Sequence, residues 1–375
     1  MTSYLMPGGG ADITALPKIS LHDHLDGGLR PQTIVELADE IGLDLPANDA
    51  ESLGRWFADS ADSGSLVEYL KTFDVTIGVM QTAAGLARVA REFVRDLGAD
   101  GVIYGELRWA PEQHLSAGLT LDQAVEAVQE GIEEGIADLR HDGHRMRAGQ
   151  LVSAMRHTGD GLAIAELAVR HRNNGVVGFD IAGPEAGFPP RLLQPAFDYL
   201  AEHFMPRTVH AGEADGLDSI RGALVDGRAL RLGHGVRIAE DITVEREDAE
   251  STFVELGRLS QWVKDREIAL ELSPSSNLQT GAIERWGDEM VDHPFDLLYQ
   301  LGFRVTVNTD NRLMSSTTLS RELSLLTEAF DYELGDLEAF QLNAAASAFL
   351  PLEDREELAD LIVAGFEGAP GLSGA

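Results

Sequence analysis

Ile19-Ser20-Leu21-His22-Asp23-His24-Leu25-Asp26-Gly27-Gly28 is the stretch from which the rest of the chain can be read. Its short apolar run predicts a strand, and in a strand alternate side chains share a side. The rings of His22 and His24 therefore project into one space, with Asp26 just beyond the strand end. Such a grouping suits a divalent metal. A lone His-x-His is weak evidence, because two histidines near a turn satisfy the same spacing. Recurrence strengthens it. Thr208-Val209-His210-Ala211-Gly212-Glu213, Leu232-Gly233-His234-Gly235 and Val305-Thr306-Val307-Asn308-Thr309-Asp310-Asn311 are further apolar runs ending in polar groups. Polar residues at the C-terminal ends of many strands mark a barrel active site, and His210 and Asp310 are expected to complete the ligand set.

Outward from that stretch the pattern alternates strand and helix. Strands are predicted at 18–23, 102–109, 147–155, 176–182, 207–211, 229–233, 268–272 and 303–308. Amphipathic helices are predicted at 83–97, 121–140, 160–173, 216–226 and 252–265. This number of alternations predicts an α/β fold, a (β/α)8 TIM-type barrel forming a single domain over 1–375. A doubly wound open sheet is the alternative, but no Gly-rich phosphate fingerprint follows the first strand. The long insertion 29–101 reads as helices at Pro31–Ile41, Ser65–Met80 and Ala83–Leu97, placed to form a lid. The segment 317–366 reads as C-terminal helices packed outside the barrel, and the Gly-rich head 1–11 and tail 365–375 are expected to fray.

Composition narrows the chemistry. The chain has no cysteine, which excludes disulfides, thiolate zinc sites, cysteine nucleophiles and the nucleobase deaminases that hold zinc through cysteine. Any zinc must sit on imidazole and carboxylate, in an open site of catalytic type. A formal charge of −34 argues against binding a nucleic acid backbone. No apolar stretch approaches the roughly 20 residues of a membrane span, and no secretory leader is visible, so a cytoplasmic location is expected. Whether the chain is a monomer or a homo-oligomer stays open.

Six segments carry a resemblance. His22-Asp23-His24-Leu25-Asp26-Gly27, Val177-Gly178-Phe179-Asp180-Ile181-Ala182-Gly183, Thr208 to Glu213, Arg231-Leu232-Gly233-His234-Gly235, Ser273-Pro274-Ser275-Ser276-Asn277 and Asn308-Thr309-Asp310 resemble, in order, the successive motifs of the adenosine deaminase family of metal-dependent amidohydrolases. The resemblance implies one zinc ion per subunit on His22, His24, His210 and Asp310. It implies that Glu213 protonates N1 of a purine nucleoside and that His234 orients the attacking hydroxide. Asp310 would also relay the water proton. Asp26 resembles the ribose-binding aspartate, where adenine deaminases generally carry Glu. Gly183 resembles the glycine whose N–H meets purine N3, and Tyr69, Leu70 and Phe73 resemble an apolar gate helix. His24 would touch substrate as well as metal. The implied activity is deamination of adenosine and 2′-deoxyadenosine with water, in purine nucleoside metabolism.

One position departs from the best-known animal enzymes, which carry a second aspartate after the ligand. Asn311 stands there. An amide donates at any pH, whereas a carboxyl group donates only when protonated, so Asn311 is expected to meet purine N7 without a protonation requirement; the other reading is a turn cap. Two rivals accompany the adenosine reading. One is a related amidohydrolase acting on adenine, a modified nucleoside or a non-purine amide, since fold does not fix substrate. The other is a silent nucleoside-binding protein, disfavoured because ligands, acid and orienting histidine occur together.

Overall fold

The structure, a computed structural model, describes residues 2–7, 10–159, 161–247 and 252–369. Its strands are β1 Lys18–His24, β2 Val102–Trp109, β3 Arg147–Met155, β4 Val176–Ala182, β5 Thr208–Ala211, β6 Arg231–His234, β7 Ile242–Glu247, β8 Thr252–Leu256, β9 Ala269–Leu272 and β10 Val305–Val307. Two parallel four-stranded arcs, β1-β2-β3-β4 and β10-β9-β6-β5, share the work of one cylinder. Single parallel bridges join them, Phe179 with Arg207 and Asp23 with Asp310. At the second seam Asp310 N–H donates to His22 O at 2.9 Å, and His24 N–H donates to Asp310 O at 2.7 Å. The eight expected strands thus close into a (β/α)8 barrel, and the open-sheet alternative falls.

Two local expectations fail. The predicted helix 252–265 is helical only over Arg258–Asp265; Thr252–Leu256 is β8, antiparallel to β7. Its β-branched and aromatic residues favour an extended chain, and β7 offers a partner with Ile242 opposite Leu256 and Val244 opposite Val254. The single helix expected over Ser65–Met80 is two, Leu66–Leu70 and Phe73–Val79. Thr72 Oγ1 donates to Tyr69 O at 2.8 Å, and Thr72 N–H bonds the same oxygen at 3.2 Å, so the regular ladder is interrupted between them.

The insertion also holds a helix not expected, Ala50–Ala61, started by the Asp49 side chain accepting from Ser52 N–H. The C-terminal segment forms Leu319–Phe330, Leu334–Ser347 and Leu352–Glu367. The second of these seals the N-terminal mouth of the barrel. Gln341 Oε1 accepts from Ile19 N–H at the start of β1, and Asn343 Nδ2 donates to Val305 O at the start of β10. In the head, Met6 is buried and Leu5 bridges Asp12, so its described residues are packed; Met1, Gly8, Gly9 and most of the expected frayed tail, 370–375, lie outside the described residues. No helix among the described residues is long and apolar enough to cross a membrane.

The barrel interior is ionic rather than the branched apolar filling usual for the fold. Arg108 on β2 reaches Asp180 on β4 at 3.0 Å and Glu271 on β9 at 2.7 Å. Arg231 on β6 reaches Glu271 at 2.6 Å and Glu106 on β2 at 2.5 Å. All five are buried. The Arg108–Glu271 and Arg231–Glu106 contacts join strands of opposite arcs and run through the cylinder. Burial disfavours charge on Glu271, but Arg108 and Arg231 overcome it and hold its pKa well below the carboxylate range. Buried ion pairs add little net stability against an apolar core; what they do here is present fixed carboxylates to the histidines above.

Candidate active site

Each chemical group sits at the C-terminal end of a parallel strand: His22 and His24 on β1, His210 on β5, His234 on β6, and Asp310 after β10. His234 and Asp310 have left-handed φ of 61° and 57°. Such non-glycine strain gathers at functional sites, and here it turns each side chain out of its strand line. One atom each from His22, His210, His234 and Asp310 lies within 4.8 Å of the others. His24 joins them, with its Nε2 3.3 Å from both His210 Nε2 and Asp310 Oδ1. His22 Nε2 is 3.1 Å from Asp310 Oδ1.

The outer nitrogens separate these four histidines into two kinds. His22 Nδ1 donates to Glu271 at 3.0 Å. His210 Nδ1 lies 2.8 Å from Asp180, and His24 Nδ1 lies 3.7 Å from Asp26. A carboxylate behind Nδ1 draws the proton there and leaves the Nε2 lone pair facing inward, as in metal-ligating histidines. Burial also keeps His210 neutral, its pKa depressed to about 4 despite Asp180. His234 differs: its Nδ1 faces the side-chain nitrogen of Asn277 at 3.0 Å.

This donor set fits a zinc ion. Bonds of about 2.0–2.1 Å at tetrahedral angles place neighbouring ligand atoms about 3.3–3.4 Å apart, close to the His24–His210, His24–Asp310 and His22–Asp310 separations. With their protons on Nδ1, His24 and His210 would face each other through two Nε2 lone pairs, an arrangement that a shared cation makes favourable. Ser276 Oγ donates to Asp310 Oδ2 at 2.6 Å and leaves Oδ1 directed at the rings.

Glu213 is buried at the wall of the same space, with Oε2 3.5 Å from His234 Nε2 and Oε1 unpartnered. Burial first, then Asp310 and Glu185, push its pKa well above the usual carboxyl value, which favours the protonated form. Its loop is fixed by Glu185, whose carboxylate accepts from the N–H groups of Gly212, Glu213, Ala214 and Asp215.

These residues border a cavity of about 520 Å³. Asp26, Gly183 and Asn311 line it, as do Tyr69, Leu70 and Phe73; of the residues expected in the site, only His22 lies a layer deeper. Gly183 has φ 93°, a conformation that suits glycine. Asn311 Oδ1 is buried without a partner. Sequence reasoning passed over Glu185, Glu271, Ser276 and His293. Glu271 was signalled by an acid inside the apolar run Ala269-Leu270-Glu271-Leu272, and Ser276 lay in a quoted motif. Glu185 and His293 carried no local signal.

A parallel barrel that collects histidines and an aspartate at the C-terminal ends of its strands defines an amidohydrolase barrel. Residues 17–365 match the family model described as adenosine deaminase. Adenosine deaminase 1 of Streptomyces coelicolor is 57% identical over 344 residues, covering 92% of this chain and 85% of that protein. The adenosine deaminase of Mycobacteroides abscessus is 52% identical over 352 residues, covering 94% and 95%. Among solved structures, the N6-mAMP deaminase of Arabidopsis superposes with a TM-score of 0.78 at 25% identity, covering 94% of this chain and 99% of that one. The chain belongs to the adenosine deaminase family.

Proposed function

We propose that the chain hydrolyses adenosine and 2′-deoxyadenosine to inosine or 2′-deoxyinosine and ammonia, with one zinc ion held by His22, His24, His210 and Asp310. The observation that carries this reading is the convergence of the Nε2 atoms of His22, His24 and His210 with Asp310 Oδ1 beside the buried acid Glu213. When bound, zinc lowers the pKa of a water so that hydroxide is available at neutral pH. Glu213 donates its proton to purine N1, which makes C6 electrophilic. His234 orients the attacking oxygen. Asp310 takes the proton that water loses and passes it to the departing amine. The hydroxyl proton of the adduct returns to Glu213 as the C6 carbonyl forms, so water and nucleoside account for inosine and ammonia.

Substrate contacts follow from the cavity wall. Asp26 accepts from ribose hydroxyls, the Gly183 N–H meets N3, and Asn311 donates to N7. The helices bearing Tyr69, Leu70 and Phe73 act as the lid. A nucleoside suits this wall better than a nucleotide. No arginine lines the cavity among the described residues; Lys71 is paired with Glu68 at 2.5 Å, and Asp26, Asp74 and Glu185 would repel a phosphate.

The test is ultraviolet absorbance loss with a panel of adenosine, 2′-deoxyadenosine, adenine and adenosine monophosphate, with and without chelator. Adenosine should be turned over fastest, ammonia should appear in equal amount, and chelation should stop it. Faster turnover of adenine would transfer the reading to a base deaminase, and ammonia release undiminished in Glu213→Ala would remove the assigned acid.

A further inference from the structure

Behind His234, away from the cavity, lies a buried chain of hydrogen bonds that the proposed reaction does not use. Phe295 N–H points at His293 Nδ1 at 3.0 Å. A backbone N–H can only donate, so this nitrogen must accept, and a doubly protonated His293 is ruled out by the same contact. The proton of a neutral ring then sits on Nε2, which faces the Asn277 side-chain oxygen at 3.2 Å. That fixes the amide orientation. Asn277 turns its NH2 toward His234 Nδ1 at 3.0 Å, so His234 Nδ1 accepts. All three side chains are buried, and burial keeps His293 neutral, its pKa depressed to about 3.

We infer that Asn277 and His293 are positioning residues that hold His234 in the tautomer with its proton on Nε2, as a donor into the site. The sense of every bond runs from one fixed donor, Phe295 N–H, through two side chains to the cavity. The same logic divides the four histidines. Three have carboxylates behind Nδ1 and present lone pairs; His234 has an amide donor behind Nδ1 and presents N–H. His234 therefore does not compete for the metal through Nε2, and in its neutral form it cannot take a proton from water there. The acceptor role falls to Asp310. A carboxylate at 277 would reverse the relay while keeping the shape.

The inference rests on the proposed reaction for its kinetic arm only. Long-range 15N–1H correlation spectra of the histidine rings, in zinc-loaded and chelated protein, report the tautomer without turnover; loss of one spin system in His234→Gln assigns it. The wild type should show His234 with a pyridine-type Nδ1 and a protonated Nε2. In Asn277→Asp, Nδ1 should gain a proton and kcat should fall by about 100-fold or more with KM unchanged. His293→Gln, which keeps a donor toward Asn277, should retain the wild-type tautomer and most of kcat, whereas His293→Leu should lose both. A protonated Nδ1 in the wild type, or an Asn277→Asp enzyme with Nδ1 and kcat unaltered, would overturn the relay. If adenosine proves not to be the substrate, the spectra still decide the tautomer.

Discussion

Replacing Glu185 with alanine should show how the acid Glu213 is held in place. The two oxygens of this buried carboxylate accept from Gly212 N–H at 2.6 Å, Glu213 N–H at 3.1 Å, Ala214 N–H at 2.7 Å and Asp215 N–H at 3.0 Å. In Glu185→Ala all four donors lose this acceptor. Gly212 and Glu213 are buried, and each buried orphan costs about 1–3 kcal/mol. Ala214 and Asp215 are half-buried and can turn to water. Relief of the desolvated carboxylate offsets part of the loss, leaving about 2–4 kcal/mol, a large fraction of the roughly 5–15 kcal/mol of a typical domain. The loop also carries the acid, and a shift of about 1 Å there is expected to lower kcat by about 100-fold. Urea unfolding gives the first quantity and steady-state kinetics the second. Glu51→Ala is the control, because its pairing with Arg55 is between side chains 84% and 61% exposed and should be worth less than about 0.5 kcal/mol. A Glu185→Ala protein within about 0.5 kcal/mol of wild type, with kcat intact, would refute the reasoning.

Three further outcomes are expected. Glu213→Gln should lower kcat by about 100- to 10,000-fold, since an amide cannot deliver the proton; with the acid form active and its pKa raised, wild-type kcat/KM should hold at neutral pH and fall on the alkaline side, and in Glu185→Gln that fall should move to lower pH as a negative neighbour disappears. Chelation should abolish activity and lower the melting temperature together, and added zinc should restore both, because a ligand of the native state alone stabilises it; a melting curve insensitive to chelator contradicts the ligand assignment. Asn311→Asp should bind substrate more weakly at neutral pH and regain affinity in acid, where the carboxyl can donate to N7; an unchanged pH profile and affinity would remove Asn311 from purine recognition.

The barrel was legible because its strands end in chemistry. His22, His210, His234 and Asp310 each close an apolar run, and a run ending in a lone polar group reads the same whatever packs around it. The hairpin β7–β8 was missed for the opposite reason: Thr252-Phe253-Val254-Glu255-Leu256 precedes a true helix, and only its partner strand decides between the two states. The break at Thr72 depends on one hydroxyl preferring Tyr69 O, a choice that helical periodicity does not register. Glu185 acts on a loop that begins 27 residues later in the chain, and His293 acts through Asn277 across a separation of 16, so neither spacing belongs to a strand or a helix. The ionic interior was invisible for the same cause, because Arg108 and Glu271 meet only after the cylinder closes.

The seam between β1 and β10 gives the proposed metal capture a place in the order of assembly. His22 and Asp310 are 288 residues apart, and the same two residues exchange a backbone hydrogen bond that shuts the cylinder. Contacts of such long sequence separation form late, after loop-closure entropy has been overcome. A chain truncated before β10 would carry the three histidines proposed as ligands but no Asp310, and should hold the ion weakly. Uptake of metal during refolding should therefore track completion of the barrel rather than its early helices, so that the ion serves as a marker of the finished fold.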